Sequence, residues 1–370
     1  MIEIEAWIHR ARAFIRGLAH LPGTLVLSDE IEPAPNDDYH RKWLESDDCS
    51  LPPEVHRFVS LGSARCAFHY QWTPPAGLRR QVQEILPGCE TVCGGADFCE
   101  ASFAGAFHDS LGGALTINLD HQHHQRRSRG SKPVRDWLPW LQRAERFVRR
   151  TCDLPGRWCM TIAIEPPLDS ANAARLDRVL PHGLPELLRD FYLTASACAD
   201  CSFSWSPDEL RLAALAEVLP HQRSIYAGPK ICSAAKLEEE QQGLMGWAEI
   251  FDEMGGHGPA TAQVLRDSVP FIPIGNGDQL VLQVKPSPDR PRVIYISHET
   301  DVDTESPVIP ISESGEQFMA DWERIAYLGP EIWLLNSFVQ DSSTGLLDSG
   351  SPLASRWRAF LKGLRLPIHD

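Results

Sequence analysis

The chain of 370 residues lacks a continuous apolar run of about 18 residues, the length that a transmembrane helix needs. It also lacks a basic start followed by an apolar segment, so we expect no secretory signal and a cytoplasmic location. Basic residues are in deficit, with 35 Lys and Arg against 50 Asp and Glu and a net charge of −15. This deficit argues against nucleic-acid binding, which depends on basic contacts to phosphates. An acidic surface is compatible with simple solubility or with a basic protein partner.

Cysteines spaced closely enough in sequence to form a metal-ligand pair are also scarce. Of ten cysteines, only Cys198 and Cys201 have the C-x-x-C spacing, whereas a tetrahedral zinc site usually draws on two ligand pairs. We expect most of the cysteines to be buried free thiols. A redox pair at Cys198 and Cys201 is the alternative.

The densest histidine cluster is His121, His123 and His124, in a polar and basic linker. These side chains could bind a metal if the fold brought one of three nearby thiols to them, those of Cys89, Cys93 and Cys99. The polar context favours a solvated loop instead. We therefore predict no metal and no cofactor, and we identify no catalytic residue.

A hairpin is predicted over residues 271–284. Asn276-Gly277 supplies the turn, since this pair readily adopts the positive φ of a two-residue hairpin loop. After the turn, Leu280, Leu282 and Val284 alternate along one face. A further strand is predicted over residues 293–296. We expect these strands to form the central antiparallel sheet of the main domain.

The chain also resembles itself. A shift of 133 positions places Leu21-Pro22-Gly23 on Leu154-Pro155-Gly156 without a gap. The same shift aligns further residues, among them Trp7 with Trp140, Phe14 with Phe147, Ile31-Glu32-Pro33 with Ile164-Glu165-Pro166, and Trp72 with Trp205. Many of these matches are Pro, Gly or Trp, which have strong local roles. The pattern indicates a tandem duplication whose first copy is shortened.

Hydrophobic periodicity predicts the elements of the second copy. Helices are expected over residues 137–148, 184–192, 209–218 and 236–254, and strands over residues 158–164, 202–205 and 224–228. A closing helix over 316–327 and a last helix over 353–364 should follow. The first copy offers an abbreviated strand over residues 112–119. The predicted organisation is a shortened repeat over 1–133, a complete domain over 134–340, and a C-terminal loop and helix over 341–370.

Two acidic segments are the predicted partner-binding residues. One is the run Glu238, Glu239 and Glu240; the other is the set Glu299, Asp301, Asp303 and Glu305. The alternating carboxylates of the second segment could bind a cation, but it lacks the glycine and the closing Glu of an EF-hand loop. A solvated acidic loop and a partner-facing loop both remain open.

The second copy resembles the SUKH superfamily over residues 170–335. The resemblance rests on four pieces in the family's order: Leu184-Pro185 with Phe191-Tyr192, Gly228 with its strand, residues 271–278, and the strand 293–296 with His298-Glu299 followed by Phe318, Trp322 and Tyr327-Leu328-Gly329. The chain departs from the family pattern at Ala195-Ser196-Ala197, where a glycine is common. The resemblance implies an α+β fold with a central antiparallel sheet flanked by helices.

The family includes bacterial immunity proteins and fungal regulators of cell-wall synthesis. The resemblance therefore implies a non-enzymatic cytoplasmic protein that binds and neutralises a cognate toxin domain, and a basic nuclease would suit the acidic charge. A regulatory scaffold that binds cellular proteins is the alternative, and a metal-dependent enzyme built on the histidine and cysteine clusters is the third hypothesis. We expect no nucleic-acid or membrane partner.

Overall fold

The computed structural model describes residues 4–31, 65–85, 90–99, 134, 136–288, 290–299, 306–339 and 346–368. Within these ranges the chain forms eleven α-helices and eleven β-strands, which confirms the predicted α+β class. Every strand pair in the described ranges is antiparallel. None of the described helices has the length and apolarity needed to cross a membrane.

The elements follow one another in three groups. The first group is α1 (Ile4–Leu18), β1 (Thr24–Ile31), β2 (Arg65–Thr73), α2 (Ala76–Ile85) and β3 (Val92–Cys99). The second is α3 (Trp137–Thr151), β4 (Gly156–Ile164), α4 (Ser170–Val179), α5 (Glu186–Thr194), β5 (Ala199–Pro207), α6 (Glu209–Val218), β6 (Ile225–Ala227) and β7 (Lys230–Ile231). The third is α7 (Leu237–Glu253), α8 (Gly258–Arg266), β8 (Ser268–Pro273), β9 (Gln279–Gln283), β10 (Arg292–Ile296), β11 (Val308–Ser312), α9 (Gly315–Arg324), α10 (Ile332–Leu335) and α11 (Pro352–Gly363).

A seven-stranded sheet joins the first two groups. Its order is β3-β2-β1-β4-β5-β6, and β7 also pairs with β5. The strands β1 and β4 meet in the middle, where Leu25 lies opposite Ile162 and Leu27 opposite Met160. All four side chains are buried. The N-terminal strands and the strands of the second group therefore form one continuous sheet.

Equivalent helices in the N-terminal part and in the second part of the chain begin and end 133 residues apart. The helices α1 and α3 differ by 133 residues at both ends, and so do α2 and α6. The indole N–H of Trp72 donates to the carbonyl oxygen of Pro22 at 2.8 Å. That of Trp205 donates to Pro155 at 2.9 Å. Both residues of the second bond lie one 133-residue shift beyond those of the first.

The helix α3 lies at the centre of the main core. Its predicted apolar face is buried, including Trp137, Leu141, Ala144 and Val148, because these side chains recur at helical spacing. On the same helix, the indole of Trp140 donates to the carbonyl oxygen of Met319 in α9 at 3.3 Å. The helix is thereby held between the larger sheet, through β4 and β5, and α9.

The predicted hairpin is present, but it lies in a second sheet. Strands β8 and β9 belong to a separate four-stranded sheet with the order β11-β10-β9-β8. The expectation that this hairpin forms the central sheet of the domain is therefore wrong. Period-two alternation predicts which face of a strand is buried, but it does not encode which sheet the strand joins. One apolar core extends between the two sheets and includes Phe271 and Leu282 of the hairpin.

Helices α7 and α8 cover the other face of the smaller sheet. Their buried side chains form a second apolar cluster with the sheet: Leu244, Ala248, Phe251, Ala262, Leu265, Val281, Ile294 and Ile296. Because Val281 points away from Leu280 and Leu282, both faces of β9 are buried. This layer fixes the position of α7, the acidic helix that the sequence predicts over residues 236–254.

Several predictions concern residues outside the described ranges. They are the strand over 112–119, the cluster His121, His123 and His124, the thiol of Cys89, and the carboxylates Asp301, Asp303 and Glu305. The closing helix and the last helix are confirmed as α9 and α11.

Candidate partner-binding surface

The helix α7 presents an acidic face. Its 17 residues contain six carboxylates and no Lys or Arg: Glu238, Glu239, Glu240, Glu249, Asp252 and Glu253. The buried side of the helix is formed by Leu237, Gln241, Leu244, Ala248 and Phe251. Since these residues repeat at intervals of three and four, the acidic residues between them are directed away from the core.

Two of the six carboxylates are already paired. Glu238 lies 3.3 Å from Nη1 of Arg175 in α4. Asp252 forms a close ion pair with Arg266 in α8, and the hydrogen bond from that guanidinium lowers the pKa of the Asp252 carboxyl. Within the described part of the chain, no ion pair neutralises the other four, Glu239, Glu240, Glu249 and Glu253. The net charge of the helix face is therefore strongly negative.

Apolar side chains are exposed beside these carboxylates. Ile250 is 55% exposed and Met254 is 42% exposed, and Trp247 is half-buried. An apolar centre with a charged rim is the usual composition of a protein–protein contact surface. We define the α7 surface as Glu239, Glu240, Trp247, Glu249, Ile250, Glu253 and Met254.

The hairpin turn next to this surface is built around a buried carboxylate, that of Asp278. The side-chain amide of Asn276 donates to Oδ2 of Asp278 at 2.6 Å, and the backbone N–H of Asp278 donates back to Oδ1 of Asn276 at 3.1 Å. Gly277 between them has φ of 100°, which only glycine adopts without strain. These contacts explain why the predicted Asn-Gly turn forms at this position.

Asp278 also gathers donors from the adjacent strand β10 and from the residues that follow it. The hydroxyl of Tyr295 makes a short hydrogen bond to Oδ2. The backbone N–H of His298 donates to Oδ1 at 2.9 Å, and Nδ1 of the same residue lies 2.7 Å from that oxygen. Burial alone would raise the pKa of Asp278, but the donors from Tyr295, His298 and Asn276 outweigh burial and lower it. The carboxylate is therefore ionised in the folded protein near neutral pH.

This arrangement fixes the imidazole of His298 at the surface. Because Nδ1 faces Asp278, Nε2 faces outward, 3.6 Å from Oε1 of Glu299. A side chain at position 277 would bring its Cβ within 3.3 Å of the imidazole ring, so Gly277 also makes room for it. The outward nitrogen can donate or accept a hydrogen bond from a partner.

The turn and the α7 surface adjoin one another. The rings of His298 and Trp247 lie 6.4 Å apart between centroids, with an interplanar angle of 31°. Glu299 follows His298, and its side chain is 80% exposed. Glu238, the second residue of α7, lies nine residues before Trp247, about 14 Å away along the axis at 1.5 Å per residue. The first predicted acidic segment thus lies in the first turn of α7. Of the second segment, only Glu299 is among the described residues, and it follows the residue whose ring adjoins the middle of this helix.

The predicted partner-binding residues have different surroundings. Glu239 and Glu299 are exposed and Glu240 is half-exposed, whereas Glu238 is engaged with Arg175. Sequence reasoning did not anticipate that Trp247 and Ile250 are partly or largely exposed on α7, or that Asp278 lies beneath His298. An Asp directly after an Asn-Gly turn and a His after the next strand are visible in the sequence, but their pairing depends on strand register.

The cysteine predictions can be tested in the described ranges. Cys152, Cys201 and Cys232 are buried free thiols, as expected, whereas Cys93 is exposed. Burial raises the pKa of the Cys198 and Cys201 thiols. A redox pair requires the opposite shift, toward the thiolate. The redox alternative is therefore disfavoured.

One cleft of about 960 Å³ separates α1 from the start of α6. Basic side chains from α1, including Arg12 and Arg16, face acidic side chains at the start of α6, including Asp208. Arg12 pairs with the buried carboxylate of Asp29 at 3.1 Å, and Asp208 caps α6 and pairs with Arg211 at 2.8 Å. The cleft therefore has mixed charges that the chain itself engages, and it is not selective for either sign.

Comparison with known proteins gives no relative. No protein-family model, no curated protein and no solved structure matches this chain. Function is consequently inferred from the α7 surface, the adjoining turn and the residue pattern described above.

Proposed function

We propose that this chain is a non-enzymatic binding protein of the SUKH type, an immunity protein that binds and neutralises a toxin domain. The observation that carries the proposal is the α7 surface, in which four carboxylates without an ion pair in the described ranges and the exposed side chains of Ile250 and Met254 lie along one helix and its C-terminal cap. A basic nuclease domain is the partner that this chemistry fits best. The nuclease must itself present a positive surface to nucleic acid, and carboxylates on α7 would occupy the place of phosphates.

Charge gives such a protein a kinetic advantage. The net charge of −15 and the concentration of carboxylates on one helix attract a basic partner before contact. Complementary potentials raise association rate constants by about 10- to 1,000-fold over the uncharged case. Fast capture suits a protein that must intercept a toxin before the toxin reaches its substrate. The apolar side chains of Trp247, Ile250 and Met254 would then slow dissociation.

The residues of the family resemblance support this division of roles. Phe191, Phe271, Phe318 and Trp322 are buried in the main core. They hold the two sheets and α9 together, so they are scaffold. The resemblance thus concerns the framework, and the recognition chemistry is assigned to α7 and to the residues around His298.

We infer that the N-terminal part is a shortened copy of the same module. Three correspondences support a duplication: the shared bounds of α1 with α3 and of α2 with α6, the equivalent indole hydrogen bonds of Trp72 and Trp205, and the residue identities at the same shift. The copy contributes three of the seven strands of the larger sheet. On this proposal its role is to complete that sheet, and the α7 surface belongs to the second copy.

The proposal is tested by co-expressing the chain with the toxin domain encoded beside it. Wild type should abolish toxicity and co-purify with the toxin. A variant with Gln at Glu239, Glu240, Glu249 and Glu253 should lose protection at matched expression. The control neutralises four exposed carboxylates on α5 and α6, namely Glu186, Asp190, Glu209 and Glu217, and should protect as wild type does.

Each result of the co-expression decides between proposals. Unchanged toxicity with no co-purification would reject the immunity function. Protection that is lost equally in the control variant would reject α7 as the contact surface. Binding to the toxin domain without any effect on its toxicity would favour the regulatory-scaffold alternative.

A further inference from the structure

The C-terminal ends of α1 and α3 meet beside the middle of the larger sheet. His20 follows the end of α1, and Cys152 and Asp153 follow the end of α3. One ligand atom from each of these three residues lies within 4.8 Å of the other two. In the described ranges, no other group of three such side chains converges in this way.

The three groups have the chemistry of a transition-metal site. An imidazole nitrogen, a thiolate sulfur and a carboxylate oxygen are the ligands that Zn²⁺ takes, with bonds of about 2.0–2.3 Å. A tetrahedral site with such bonds separates its ligand atoms by roughly 3.3–3.8 Å. The ligand atoms, which lie within 4.8 Å of one another, would therefore have to move closer by at most about 1.5 Å to reach the bound geometry. His20 and Asp153 are exposed and can make this movement by rotating their side chains, whereas Cys152 is buried and stays fixed.

Arg149 holds the two helix ends in contact. Its Nη1 donates to the carbonyl oxygens of Ala19 at 2.6 Å and Leu21 at 3.0 Å, on either side of His20. Its Nε donates to Glu145 in the preceding turn of α3 at 2.9 Å. The backbone of the residue that would supply the imidazole is therefore tied to the helix that supplies the thiol. Such positioning lowers the entropy that metal binding would otherwise have to overcome.

The electrostatic field at the three side chains partly favours a bound cation. Two helix C-termini converge here, and each carries the equivalent of about −0.5 charge. Arg150 opposes this effect and lies 3.5 Å from Asp153, but both side chains of that pair are about half exposed. An ion pair of this kind contributes little and is readily exchanged for a metal–oxygen bond. Burial raises the pKa of Cys152 to about 12, so metal binding must release the thiol proton to solvent.

The geometry points to a zinc-class metal site formed by His20, Cys152 and Asp153. The two halves of the chain would share the metal, because His20 comes from the N-terminal part and the other two ligands from the second part. His20 and Asp153 are also equivalent positions under the 133-residue shift. Three protein ligands leave the fourth tetrahedral position to water. The site lies apart from the α7 surface and does not depend on the proposed function.

The test uses Co²⁺, which takes zinc-type sites and reports its ligands by absorption. Chelator-treated full-length protein is titrated with Co²⁺ and then with Zn²⁺. A stoichiometric thiolate-to-Co²⁺ band that Zn²⁺ displaces is the expected result. Loss of a group that only orients a ligand already weakens metal binding about 10- to 100-fold. Loss of a ligand should cost at least as much, so His20→Ala and Asp153→Asn should each weaken metal binding at least about tenfold. Cys152→Ser should abolish the band.

Two controls keep the outcome interpretable. Cys159→Ser removes a partly buried thiol outside the cluster and should leave the band intact. His20 is exposed, so His20→Ala is expected to fold normally by circular dichroism even if Cys152→Ser does not. Absence of a stoichiometric band in wild type would overturn the inference. Retention of wild-type affinity in His20→Ala, or loss of the band in Cys159→Ser, would do so as well.

Discussion

Leu27 lies directly opposite Met160 where β1 pairs with β4. These two positions are also equivalent under the 133-residue shift. The pair therefore marks a local two-fold axis in the larger sheet. Moving outward from this axis, the strands follow in the order β1, β2, β3 on one side and β4, β5, β6 on the other. An isologous dimer would pair two equivalent strands in the same manner. In this chain the dimer-like contact is made within one polypeptide.

The first prediction concerns the pairing of β1 with β4. Leu27 is fully buried, so Leu27→Ala should lower the free energy of unfolding by about 2–5 kcal/mol. The neighbouring Val26 is 38% exposed, and Val26→Ala should lower it by less than about 1 kcal/mol. Urea denaturation measures both. Equal decreases in the unfolding free energy for the two substitutions would show that the buried contact between β1 and β4 does not stabilise the fold.

A second prediction compares the two Leu-Pro-Gly turns. Gly23 and Gly156 have φ of 108° and 110°, and an added Cβ at either would overlap the backbone carbonyl oxygen of Thr73 or Ser206. Each Gly→Ala change should therefore destabilise the protein by at least about 1–2 kcal/mol. The matched control is Gly243→Ala in α7, which has open space around it.

Since alanine favours helix, the control should stabilise the protein by up to about 1 kcal/mol. Thermal or urea unfolding of the three variants separates these outcomes. If Gly23→Ala were neutral while Gly156→Ala were not, the two turns would not be structurally equivalent.

Local elements were predictable from the sequence because their signals are local. The helix over residues 209–218 was predicted with the bounds that α6 has, since Asp208 caps it and Leu219-Pro220 ends it. The helix α8 was missed, because Gly255-Gly256-His257-Gly258 reads as a turn and conceals the helix that begins at Gly258. The long acidic helix α7 was identified correctly.

Long-range relations were harder to predict. The division into two sheets and the cluster of His20, Cys152 and Asp153 both depend on contacts between distant residues. Single-sequence periodicity carries no information on such contacts. The pairing of Asp278 with His298 was missed for the same reason: it spans 20 residues and requires the register of β9 and β10.

A third prediction concerns acid stability. The pKa of Asp278 is lowered in the folded protein, so its contribution is fully present above the unfolded pKa of about 3.9 and is lost as pH falls through the lower folded pKa. Asp278→Asn should remove this pH-dependent loss. At neutral pH the variant should be less stable by about 1–3 kcal/mol, because donors that face the carboxylate lose a charged acceptor.

Urea unfolding of wild type and Asp278→Asn between pH 7 and pH 2 measures this effect, because the loss begins only below the unfolded pKa of about 3.9. The difference in unfolding free energy between the two proteins should shrink toward acid pH. A difference that stayed constant across this range would mean that Asp278 is not the group responsible.

A fourth prediction concerns the apolar part of the α7 surface. Trp247→Ala should speed dissociation of the toxin domain by about tenfold or more, since a central aromatic side chain dominates affinity in most interfaces. Trp333→Ala is the control, because Trp333 is 46% exposed but lies in α10. Surface plasmon resonance with both variants gives the dissociation rates. Equal dissociation rates for the two variants would show that Trp247 does not contact the toxin domain.

The association rate constant between the purified chain and the toxin domain tests the central claim most directly. It should be measured over a series of salt concentrations for wild type, for the Gln variant at Glu239, Glu240, Glu249 and Glu253, and for the α5–α6 control. We predict that neutralising α7 lowers this rate constant at least about tenfold at low salt and flattens its salt dependence, because steering is lost. An unchanged rate constant and an unchanged salt dependence would contradict the account.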